Sequence, residues 1–149
     1  MRTLLLLLGV VMGCRSTGPF EGAWRSDRDM TLKALSQVST IGDVQRERLA
    51  KLEFFGHMLH VFSGSRWLTV FDNQCTDMAQ MKGVVTGPRT RSVTFFNPVA
   101  KRVTTTTMEV DGDTLWVTIP LLPPGSREAF RRISLDEARR AHPCLSDLL

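Results

Sequence analysis

The sequence predicts a mostly β (α+β) domain, an antiparallel sheet of about eight strands closed into a barrel or strongly curled. A helical insertion follows the first strand, and a short helix stands near the C-terminal end. Three observations predict this. From residue 57 onward, short runs rich in apolar, β-branched and aromatic residues recur between turn residues. Before them, only residues 26–55 carry apolar side chains at helical spacing. Several strands are apolar on both faces, as with Trp67 and Phe71 opposite Leu68 and Val70, and a sheet buried on both faces must be closed, curled or covered.

Ahead of the domain, Arg2 precedes an apolar run from Leu4 to Met12 that ends in Gly13-Cys14. A membrane span takes about 20 apolar residues, whereas a signal h-region takes roughly 7–15. The stretch Val11-Met12-Gly13-Cys14 resembles the lipobox of bacterial lipoprotein signals, in which a small residue precedes an obligatory Cys. Met12 stands where that pattern has Ala, Ser or Thr, and Val11 where Leu is commoner. The resemblance implies cleavage before Cys14 and a palmitate-type lipid anchor on it. An ordinary signal peptide cut elsewhere would leave Cys14 free. The expected organisation is therefore a signal over residues 1–13, a lipidated tether over 14–19 and a single domain over 20–149. Arg15, where Asp would mark inner-membrane retention by analogy with enteric sorting signals, points to the outer membrane facing the periplasm.

The first strand is expected over Phe20–Arg25. Ser26-x-x-Asp29 has the form of a capping box, and Met30, Leu32, Leu35 and Val38 continue it as a helix. After a break at residues 39–42, Asp43 is the expected cap of a second helix that carries Val44, Leu49, Leu52 and Phe55 and stops at Gly56. Strands are then expected over His57–Phe62, Arg66–Phe71, Asp77–Val85, Arg91–Phe96, Arg102–Val110, Thr114–Ile119 and Arg127–Ile133. The clearest hairpin is Asp111-Gly112 between two β runs. Thr104 to Thr107 reads as a β-branched strand with exposed hydroxyls. Ser134-Leu135-Asp136-Glu137 opens the last helix, which ends before Pro143-Cys144.

Cysteine usage fits an oxidising compartment. Three cysteines are an awkward count for an exported chain. With Cys14 lipidated, Cys75 and Cys144 are left as an even pair where disulfides persist. A bridge between them closes a loop of about 70 residues, for which chain entropy gives roughly 4 kcal/mol; two free buried thiols are the alternative. The net charge is +4, with Lys and Arg spread rather than clustered, so no nucleic-acid partner is expected.

Chemistry-bearing patterns are sparse. His57 and His60 fall on opposite faces of one strand and make a poor metal pair. Asp27 and Asp29 are more simply helix-capping residues than an acid/base couple. No nucleophile elbow, Walker loop or zinc spacing is present, so no enzyme, cofactor or metal is expected.

Gly22-Ala23-Trp24 on the first strand and Phe130-Arg131-Arg132-Ile133 on the last resemble the lipocalin-like (calycin) barrels. That family lays a basic side chain of the last strand across the indole of the first. The chain also resembles small bacterial lipoproteins reading Gly-x-Trp-x-Ser-Asp-x-x-x-Thr-Leu, through Gly22, Trp24, Ser26, Asp27, Thr31 and Leu32. It departs from them at Ala129, where an aromatic residue is expected, and its helical insertion is longer than the short mouth helix of a lipocalin. The resemblance implies a barrel-closing pair of Trp24 and Arg132, with Arg131 as the alternative, and an interior that binds a small apolar or amphiphilic ligand. Which residues would hold that ligand is not readable. With eight Phe and seven Met available, a filled barrel that meets an envelope partner through its surface is the other reading.

Overall fold

Along residues 103–110 buried and exposed side chains alternate at every step, the period a sheet with one solvated face imposes. The computed structural model describes residues 18–64, 66–78, 82–97 and 101–149. In chain order it runs β1 (Gly22–Ser26), α1 (Arg28–Ser36), α2 (Asp43–Lys51), β2 (Met58–Ser63), β3 (Arg66–Phe71) and β4 (Gln74–Asp77). It continues with β5 (Lys82–Gly87), β6 (Thr90–Asn97), β7 (Arg102–Asp111), β8 (Thr114–Thr118), β9 (Arg127–Ile133) and α3 (Leu135–Ala141), then a 3-10 turn at Pro143–Leu145. The strands form one nine-stranded sheet in the order β4-β3-β2-β1-β9-β8-β7-β6-β5. Every pairing is antiparallel. Side chains from β1, β2, β6, β7, β8 and β9 meet in one interior cluster, which requires the sheet to curl into a half-barrel. Among the described residues no helix is long and apolar enough to cross a membrane.

The ninth strand comes from a tight turn. Asp72 and Asn73 both adopt positive φ, 46° and 63°, a conformation these side chains tolerate and two-residue hairpins need. The chain therefore reverses directly after β3, and β4 pairs back on it from Phe71↔Gln74 to Leu68↔Asp77. The single strand expected over Asp77–Val85 is thus two: β4 ends at Asp77, and β5 starts at Lys82 and pairs with β6. These two strands are the edges of the sheet.

The first two helices begin one residue away from their expected caps. Asp27, not Ser26, caps α1 by accepting from the Met30 N–H at 3.0 Å, a bond worth about 1 kcal/mol. Ser26 is unavailable because it still belongs to β1, paired with Phe130. At α2 the cap is Gly42, without a side-chain bond, while Asp43 sits in the first turn and pairs with Arg46 at 3.0 Å. That helix ends at Lys51 rather than at Gly56; Val44 and Leu52 are exposed, and Leu49 is its buried residue. Leu35, Ile41, Leu49 and Phe55 gather the helices into their own cluster, against Ile119 and Leu122 of the β8–β9 connection.

Thr31 ties α1 to the sheet. Its hydroxyl donates to the Asp27 carbonyl at 2.7 Å and accepts from the Ala129 N–H of β9 at 3.0 Å. The outer face of β1, β2 and β3 is covered by α3 and the C-terminal residues, with Ala23, Val61, Leu68 and Val70 against Ala138 and Leu145. Cys75 on β4 is disulfide-bonded to Cys144 in the terminal turn, with Cα atoms 6.0 Å apart. The bond fastens this cover to one edge of the sheet.

Candidate functional site: an interior cavity with a buried carboxyl

Alternation along β1, β2 and β9 directs Trp24, Ser26, His60, Phe62, Glu128 and Phe130 to the interior. At one end the interior is filled. Trp24 is fully buried, and its Nε1 donates to the Phe20 carbonyl at 2.8 Å. The Arg132 guanidinium carbon lies 4.0 Å from the Trp24 ring centroid, and its nitrogens donate to the carbonyls of Glu21 at 2.6 Å and Pro19 at 2.9 Å. Arg131, on the opposite face of β9, is exposed. Phe20 and Phe62 pack edge to face, with centroids 5.9 Å apart, and the Arg91 guanidinium lies 4.3 Å from the Phe20 centroid.

Above this plug the interior opens into a cavity of about 280 Å³, close to the lower end of the roughly 300–1,000 Å³ usual for small-molecule sites. Its floor and walls are Phe130, Met108, Trp67, Val117, Phe95 and Met58. Its rim carries Phe54 and Leu121, large apolar side chains about half exposed, with Pro120 and Met78 beside them. The rim is therefore built from the α2–β2 loop, the β8–β9 connection and the end of β4, beside one of the two sheet edges.

Two ionisable side chains line the cavity among the described residues, His60 and Glu128. Glu128 is 6% exposed. Burial raises its carboxyl to about 7, opposed by a hydrogen bond from Ser26. The Ser26 hydroxyl donates to Oε1 at 2.5 Å and itself accepts from the Gly56 N–H at 2.8 Å. No hydrogen-bond partner falls to Oε2 among the described residues. His60 is 5% exposed, and burial lowers it to about 4, so its ring is neutral at neutral pH. Trp67 Nε1 can only donate, and it points to His60 Nδ1 at 3.3 Å, leaving the ring proton on Nε2. The Thr69 hydroxyl is 3.0 Å from the same Nδ1. Thr106 is buried and donates to the Thr118 carbonyl at 2.5 Å, so the hydroxyls of residues 104–107 are not all exposed as expected: Thr104 and Thr106 turn inward.

The sequence residues thus sort by position. Trp24 and Arg132 form the closed end, Cys75 and Cys144 hold the outer cover, and Cys14 lies outside the described residues. His57 does not join His60, and no group of metal-ligating side chains occurs among the described residues. Glu128 and Ser26 were not legible as site residues. Ser26 reads as a helix cap, and Glu128 reads as one polar position in a charged strand. The available signal was its spacing of two from Phe130, which puts a carboxylate on the inward face.

Strand order and cavity together define a curled antiparallel β domain with an apolar interior site. No family model and no curated protein matches the chain. Among solved structures, As-p18, an extracellular fatty acid binding protein, is similar with a TM-score of 0.47 at 14% identity, over 77% of this chain and 96% of that one. A Schistosoma mansoni fatty acid binding protein in complex with arachidonic acid is similar with a TM-score of 0.44 at 18% identity, over 80% of this chain and 99% of that one. At these values the likeness is one of general shape, and the fold rests on the strand order itself.

Proposed function

We propose that the protein is a membrane-anchored envelope lipoprotein whose β domain binds a small apolar or amphiphilic ligand in its interior. The observation that carries the ligand reading is the cavity of about 280 Å³ with apolar walls, two buried ionisable groups and an apolar rim. A pocket of that make-up favours transfer of a hydrocarbon chain from water while its few polar groups set orientation. The volume corresponds to on the order of ten heavy atoms, taking roughly 30 Å³ for a water-sized group. The anchoring reading is supported by the lipobox resemblance ending at Cys14. Stable anchoring takes two lipid signals, because one chain binds only marginally.

Native mass spectrometry of the purified protein tests the ligand reading. A co-purifying small molecule, lost on organic extraction, is the expected result. Cys14→Ser tests the address: acyl labelling should vanish and the domain should leave the membrane pellet, and retention without acylation would sink it. The second reading is a lipoprotein that meets an envelope partner through its surface. It draws on the aromatic plug of Phe20, Phe62, Trp24 and Phe130, which already fills one end of the interior. An empty cavity in every preparation favours that reading.

A further inference from the structure

The cavity wall is chemically one-sided. Among the described lining residues there is no Lys or Arg, and the ionisable groups are a carboxyl and an imidazole. Arg91 belongs to the closed end, against the Phe20 and Phe62 rings. Arg28, near the start of α1, directs its guanidinium to the Ala50 carbonyl. Around Glu128, β1 presents the Ser26 hydroxyl, β2 the neutral His60 and the loop before β2 the Gly56 N–H, while Asp27 on the α1 side is occupied as a cap. A ligand carboxylate placed here would lose its hydration with no cation to replace it, and it would face a second carboxyl. Glu128 Oε2 offers the reverse opportunity: an acceptor in an apolar wall that opens on the cavity space and can receive a donor.

Resting on the ligand reading above, we propose that the cavity selects a single-chain amphiphile whose head group donates a hydrogen bond to Glu128, an alcohol or an amine, and rejects a carboxylate. The class follows from the wall rather than from the volume. Chains of equal length bury equal apolar area, so the head group alone decides the difference between them.

Titration calorimetry on the purified full chain with decan-1-ol, decylamine and decanoic acid compares heads on one tail. At about pH 8 the alcohol or the amine should bind at least tenfold more tightly than the acid. As the pH falls through about 7 and Glu128 takes up its proton, the affinity for the acid should rise. The two donor heads separate in the same series, because the amine should weaken over that interval while the alcohol changes little. In Glu128→Gln the amide oxygen keeps the bond from Ser26 and an NH2 takes the place of Oε2, so the alcohol should still bind by accepting, while the amine should lose about tenfold and the acid should gain. Decanoate binding as tightly as decanol, or an unchanged ratio in Glu128→Gln, overturns the head-group assignment and leaves the cavity reading standing. Failure of all three to bind overturns the cavity reading itself.

Discussion

The guanidinium carbon of Arg132 lies 4.0 Å from the centroid of the Trp24 indole, and the two residues face each other directly across the β1–β9 pair. The same side chain donates to two backbone carbonyls ahead of β1. It therefore joins the last strand to the first by stacking and by hydrogen bonds together. An Arg over an indole contributes about 0.5–1 kcal/mol exposed and about 2 when desolvated. Arg132→Met keeps much of the stem but leaves the carbonyls of Pro19 and Glu21 without these donors, and should cost about 1–3 kcal/mol in urea unfolding. Arg131→Met, on the exposed face, should stay within about 0.5 kcal/mol. Equal costs for the two variants would remove the special role of Arg132.

Thr31 is fully buried and holds the Ala129 N–H. Thr31→Val preserves shape and removes the acceptor, stranding a buried donor on β9. The expected loss is about 1–3 kcal/mol, read by denaturant midpoint. Thr31→Ser keeps the bond and should recover most of it. A valine variant as stable as the parent would show that the link between α1 and the sheet is dispensable.

The Cys75–Cys144 bond spans a sequence separation of 69 residues. Peptide mapping without reduction should recover both cysteines in one linked fragment. Reduction should release the C-terminal cover before the sheet, because residues 134–149 pack on its outer face through two buried side chains, Ala138 and Leu145. Hydrogen exchange should then rise first over that segment. Uniform loss of protection across the chain on reduction would contradict this order.

His60 and Glu128 pull the pH dependence of stability in opposite directions. The raised Glu128 carboxyl binds its proton more tightly in the folded state, so its contribution is present below about 4.5 and is lost as pH rises to about 7. The lowered His60 ring does the reverse: its contribution is present above about 6.5 and is lost as pH falls to about 4. Each swing is on the order of 3 kcal/mol, and across the shared interval they largely cancel. Glu128→Gln should unmask the His60 limb, with stability rising from about pH 4 to 6.5. His60→Gln should unmask a fall toward pH 7. Chemical denaturation of both variants across that range reads the two slopes, and parallel profiles in the two would refute the assignment.

The mostly β class, the hairpin at Asp111-Gly112, the helices after the first strand and the cap at Ser134 were legible in the residues alone, because each rests on short runs of neighbouring residues. Turn chemistry and side-chain period are local properties, and they survive without knowledge of the neighbours. Tertiary structure decided what depends on contacts between distant residues. The strand expected over Asp77–Val85 becomes two edges of the sheet, because Gln74–Asp77 pairs back on β3 while Lys82–Gly87 pairs with β6. Ser26 stays in β1 because Phe130 pairs with it there, so the cap passes to Asp27. Glu128 and His60 are separated along the chain and come to line one cavity only when β1, lying between β2 and β9, brings both strands to the same interior. Burial, which shifts both groups, is a property of the curled sheet, and no local pattern in the sequence encodes it.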